Sequence, residues 1–135
     1  MFVVDASMAL TWCIEDEASD ASDRVLHRVL LEGGIAPAHW PLEMANAIRS
    51  AARSGRVDEA AIDRARSIVD GLPIEVVPVE TSTALGLIEQ AQALDLSVYD
   101  AAYVGLARAR GLSLATRDSR LAAACRKRGV ELIAD

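Results

Sequence analysis

Cysteine, histidine, lysine and aromatic residues are all scarce in this chain. Two cysteines, Cys13 and Cys125, stand far apart inside apolar, helical patterns. They form neither a CxxC pair nor a disulfide framework, and they read as reduced, packed residues of a cytoplasmic protein. With only two histidines, His27 and His39, a zinc site lacks ligands. Lys127 is the one lysine, so a receiver-type signalling domain, which needs a lysine at a late strand end and paired acids after its first strand, does not fit. No apolar run approaches the roughly 18 residues that cross a bilayer. The opening Met-Phe-Val-Val-Asp has no basic segment or cleavage site and reads as a first strand, not a signal peptide. Basic excess is missing too. The net charge of −6 argues against a general nucleic-acid coat protein, although it leaves a nuclease open, because the acids of a metal site count towards it.

What is present suffices for one core. Of 135 residues, 52% are hydrophobic and only 4% aromatic, so Ala, Leu, Val and Ile must fill the interior of one domain over 1–135. Short apolar runs alternate with longer amphipathic ones. Strands are predicted at 2–4, 35–36, 74–79, 112–115 and 131–133. Helices are predicted at 6–14, 18–32, 41–54, 59–71, 81–94, 98–110 and 119–128. Pro41 suits a helix first turn, Asp58 a cap, and Gly33, Gly55, Gly71 and Gly111 are stops. Strands separated by helices imply an α/β fold with a mainly parallel sheet and helices on both faces. Ligands of such folds bind at the carboxyl ends of the strands.

Four acids lie where that fold can gather them. Asp5 ends the first strand, and Asp118 follows the strand that ends near Ala115. Either also reads as a helix N-cap. Glu43 lies in a helix first turn, where the helix dipole favours an acid. It shares a polar arc with Asn46, Ser50 and Arg53, opposite Met44, Ala47, Ile48 and Ala51. Asp100 is the only charge between Asp95 and Arg108, in a helix with little polar surface, and Ser97 is a better cap for that helix. It is therefore expected to be buried and to need a partner charge or a metal. Four converging carboxylates repel one another unless a cation lies between them. Hard cations such as Mg²⁺ and Mn²⁺ take oxygen ligands.

At Val-Val-Asp5-Ala-Ser7, Glu43-Met-Ala-Asn46, Tyr99-Asp100-Ala-Ala-Tyr103 and Thr116-Arg-Asp118 the chain resembles the PIN-domain family, and within it the VapC-type toxins of toxin–antitoxin systems. The resemblance spans essentially the whole length. It implies a PIN-like three-layer fold with a five-stranded parallel sheet of order 3-2-1-4-5. It implies an endoribonuclease dependent on one or two Mg²⁺ or Mn²⁺ ions, which activate water for attack on the phosphodiester. Asp5, Glu43, Asp100 and Asp118 would be the catalytic acids and metal ligands, with Ser7, Asn46 and Thr116 as polar supports. It further implies a VapB-like antitoxin partner, whose tail occupies a groove near the site, and a homodimer.

Positive charge for an RNA backbone is available at Arg49, Arg53 and Arg56, spaced i, i+4 and i+7 after Glu43, and at Arg117 beside Asp118. The arginine stripe reads equally as a solvated helix face. Met8, Leu10, Trp12 and Ile14 could line a groove or simply pack. A PIN-fold ribonuclease without an antitoxin, and a catalytically silent module binding RNA or a partner, are the alternatives. The silent module is expected to have lost one of the four acids, and all four are present.

Overall fold

The run Phe-Val-Val has no polar residue and is too short for a helix, and it forms the central strand. A computed structural model of the chain describes residues 1–133. Strand β1 (Phe2–Val4) is wholly buried and pairs in parallel with β2 (Gly34–Pro37) on one side and β4 (Leu114–Ala115) on the other. Strand β3 (Ile74–Val77) adds in parallel to β2, giving the order β3-β2-β1-β4. Continuous apolar runs suit strands covered on both faces. β3 alternates partly, with Glu75 and Val76 exposed, and Pro78 follows it at the sheet edge. Gly34 has a positional reason: a Cβ there would stand 3.1 Å from Val4 Cγ2 and 3.3 Å from Ile74 Cγ1.

Eight helices surround the sheet among the described residues: α1 (Ala6–Leu10), α2 (Asp20–Glu32), α3 (Trp40–Arg53), α4 (Glu59–Gly71), α5 (Thr81–Leu85), α6 (Leu87–Leu94), α7 (Val98–Arg110) and α8 (Ser119–Lys127). α7 packs on β1, β2 and β4, and carries α6 and α8 against it, while α1, α3 and α4 pack in series. The core is aliphatic as expected, with Tyr103, Phe2, Met8 and Ile35 among its largest members.

Three expectations are corrected. The first helix ends at Leu10 and not at 14. Thr11 donates its hydroxyl back to Met8 O, and a 3-10 turn follows at Glu15–Glu17. The helix expected over 81–94 is two, parted at Gly86, a weak helix former. Among the described residues the sheet has four strands and not five. The expected last strand at 131–133 is reduced to a single parallel bridge, Leu132 to Leu114, because β4 offers only two residues for a ladder. That bridge lies beyond β4, where the order 3-2-1-4-5 would put a fifth strand.

Candidate active site

β1, β4 and β2 are neighbours, so whatever follows their carboxyl ends shares one edge of the sheet. Asp5 follows β1, Thr116 and Asp118 follow β4, and His39 and Glu43 follow β2. Val4 pairs with Ala115, which puts Asp5 beside Thr116 although 111 residues separate them. The four acids also begin four helices. Asp5 caps α1 and Asp118 caps α8, while Glu43 and Asp100 lie in the first turns of α3 and α7. Four positive helix ends are thereby turned towards four carboxylates.

Asp5 is the most buried of the four, at 4% exposure. Its Oδ1 accepts the Met8 N–H at 2.8 Å, and Ser7 Oγ lies 2.8 and 2.9 Å from its two oxygens. Thr116 donates its hydroxyl to Oδ2 and accepts the Asp118 N–H at 2.9 Å. Ser7 Oγ in turn accepts the Arg117 N–H at 2.9 Å. Burial nevertheless wins, and Asp5 is pushed up to about 6, with Asp118 adding repulsion. Ser7 and Thr116 thus lie where polar supports were expected.

Asp100 is not buried as expected. It is half-buried, because the apolar face of α7 is carried by Ala101, Tyr103, Val104 and Ala107 while Asp100 lies at the helix mouth. Ser97 caps the helix through the Asp100 N–H, and no protein donor among the described residues reaches the carboxylate. Asp100 is raised by partial burial and then by the charges of Asp118 and Glu43. Glu43 goes the other way. Burial would raise it, but the nearby His39 and the hydrogen bond from Tyr103 hold it below its usual value. Tyr103 donates to Oε1 at 2.6 Å, and His39 Nε2 lies 3.2 Å from the same oxygen.

Tyr103 and His39 were not expected in the site. The available signals were spacing alone: Tyr103 is three residues after Asp100, and His39 is four before Glu43.

Asn46 is exposed and makes no side-chain hydrogen bond among the described residues. Arg49 and Arg53 are exposed on α3. Arg56 is not on that helix: α3 ends at Arg53, and Gly55 turns the chain at φ 80°. Arg56 instead binds Asp16 and Glu17, each at 2.7 Å. Arg117 reaches the Glu17 carbonyl at 3.3 Å. Both cysteine thiols are pushed up to about 11 by burial, in keeping with a packing role.

A sequence model described as "PIN domain" matches residues 2–127. The chain belongs to the PIN-domain family. Its fold agrees: the crystal structure of PAE2754 from Pyrobaculum aerophilum is similar, with a TM-score of 0.70 and 26% identity over 91% of this chain and 84% of that one. No curated protein matches the sequence. PIN domains are generally metal-dependent nucleases, and PIN-domain nucleases act on RNA. Among the described residues of this PIN domain, no three His, Cys, Asp or Glu side chains are gathered closely enough to hold a metal as they stand. The four acids share an electrostatic field, not yet a set of ligand distances. Their donor chemistry fits a hard divalent cation: it consists of carboxylate oxygens, backed by hydroxyls, with mutual repulsion that a cation would relieve. No helix among the described residues is long and apolar enough to cross a membrane.

Proposed function

We propose that this PIN domain is a Mg²⁺- or Mn²⁺-dependent endoribonuclease, the toxin of a VapBC-type pair acting in the cytoplasm. The observation that carries the reading is the electrostatic coupling of four carboxylates from four helix starts at one sheet edge. Asp5, Glu43, Asp100 and Asp118 would hold one or two ions. Such an ion, when bound, activates water and offsets the charge that builds on a phosphodiester in hydrolysis. The chain's own residues do the rest. Ser7 and Thr116 orient Asp5. Asp118 and Glu43 each use one oxygen on protein donors and keep the other available. Asp100, with no protein donor on its oxygens among the described residues, is left open to meet the ion or its water. Arg49, Arg53 and Arg117 supply positive charge for RNA phosphates, with Asn46 on the same arc of α3 as Glu43. Arg56 contributes only where its bond to Asp16 and Glu17 is exchanged for phosphate.

Two surfaces support the partner assignments. A groove of about 620 Å³, lined by Trp12, Ile14, Leu26, Arg56 and Ile68 among others, offers an antitoxin tail both apolar and charged contacts. An apolar cleft of about 610 Å³ beside His39 is lined by exposed Leu42, Val79, Val98 and Tyr99, a face suited to a homodimer.

The test is RNA cleavage by the purified protein with Mg²⁺ or Mn²⁺, and with excess chelator. Cleavage should require the metal, and undiminished cleavage in chelator would overturn the reading. Mapping the 5′ ends of cellular RNAs after induction would then identify the substrate.

A further inference from the structure

Tyr103 is a core residue with one atom too many for packing alone. At 1% exposure it fills the space between the sheet and α3. A phenylalanine would fill it equally well, and a buried hydroxyl without a partner is destabilising. Here the hydroxyl donates to Glu43 Oε1 at 2.6 Å, the length of a charge-assisted O–H···O⁻ bond. Tyr103 therefore ties α7 to the first turn of α3. His39 approaches the same carboxylate oxygen at 3.2 Å, and its ring meets Tyr103 edge-on at 5.2 Å. His39 Nε2 makes no hydrogen bond there, so Tyr103 alone holds Oε1, while Oε2 has no protein donor among the described residues.

We infer that Tyr103 is a positioning residue: its hydroxyl holds the Glu43 carboxylate by Oε1 and leaves Oε2 free for the candidate metal site. The inference rests on the metal-site reading above and assigns a role to a residue outside the four acids. A glutamate in a first turn has three side-chain torsions and, at half-burial, room to swing into solvent. One strong bond at a fixed point of the core removes that freedom before any ligand arrives. The tyrosine is suited to this because its ring is locked by packing, so the hydroxyl is as fixed as the helix that carries it.

Calorimetric titration with Mn²⁺ alone separates the outcomes. Tyr103→Phe should keep the wild-type far-ultraviolet spectrum and cooperative melting, yet bind Mn²⁺ about 10-fold more weakly, as loss of a ligand's hydrogen-bond partner does. Adding Tyr103→Phe to Glu43→Gln should weaken binding no further than Glu43→Gln does alone. RNA cleavage by Tyr103→Phe should recover at saturating Mn²⁺, which a damaged core would not permit. Wild-type Mn²⁺ affinity in Tyr103→Phe, beside weakened affinity in Glu43→Gln, would overturn the positioning role and leave the metal site intact. No Mn²⁺ binding by the wild-type protein would overturn the metal site itself and this inference with it.

Discussion

The two ends of the candidate site are built differently. At Asp5 the carboxylate is enclosed, with both oxygens engaged by Met8, Ser7 and Thr116. At Asp100 the carboxylate stands at a helix mouth with no protein donor among the described residues. Glu43 and Asp118 lie between these extremes, each with one oxygen held. An enclosed acid is fixed in place, but burial drives it towards its neutral form. An open acid keeps its freedom to meet substrate and solvent. The fold supplies rigidity at one end and access at the other.

The hardest blow to both ends is removal of charge. Asp5→Asn and Asp100→Asn should each cut metal-dependent RNA cleavage by at least about 10²-fold while the fold persists, measured on defined RNA with circular dichroism in parallel. Retained activity in either would remove that acid from the site.

Stability should then tell the ends apart. The pKa of Asp5 is raised from 3.8 to about 6 in the folded chain. The folded form therefore holds a proton that the unfolded form has released. The stability that Asp5 contributes is full below about pH 4 and is lost as pH rises through 6. Without metal at pH 7, Asp5→Asn should be more stable than wild type, by up to about 3 kcal/mol for two pKa units, and the gain should vanish near pH 4. Asp100→Asn should gain less, since solvent reaches Asp100. Melting curves from pH 4 to 7 decide it, and equal gains in the two variants would erase the contrast.

A third probe sharpens the enclosed end alone. Thr116→Val keeps the shape and removes the hydroxyl from a charged partner, a loss of about 2 kcal/mol. Because that hydrogen bond lowers the pKa of Asp5, its removal should move the Asp5 titration still higher, visible by carboxyl-carbon NMR. The smallest effect should come from outside both ends. Glu17→Gln loosens Arg56 on an exposed surface, so melting should hardly change. RNA affinity at low salt should rise a few-fold and converge with wild type as salt increases.

Much of this was legible in the chain. The alternation of runs foretold the parallel sheet, and Asp5 and Asp118 fell at the strand ends where they were placed. Their reading as helix caps proved true, so the part proposed for them in a metal site would fall to residues that already cap helices. Asp100 was misjudged because an apolar neighbourhood in sequence does not say which face of a helix is covered. Arg56 was misplaced because periodicity ran on past Gly55, where the chain had already turned. Tyr103 was invisible as a partner of Glu43, since a bond across 60 residues leaves no local pattern.

The separation of Asp5 from Thr116 by 111 residues has a consequence in time. A ribosome adding about 5–20 residues per second needs roughly 6–22 seconds to travel from the acid to the hydroxyl that orients it. Throughout that interval β1 has no β4 beside it, and the acid has no Thr116. A chain still being made therefore carries only part of the assembly until Thr116 has been added.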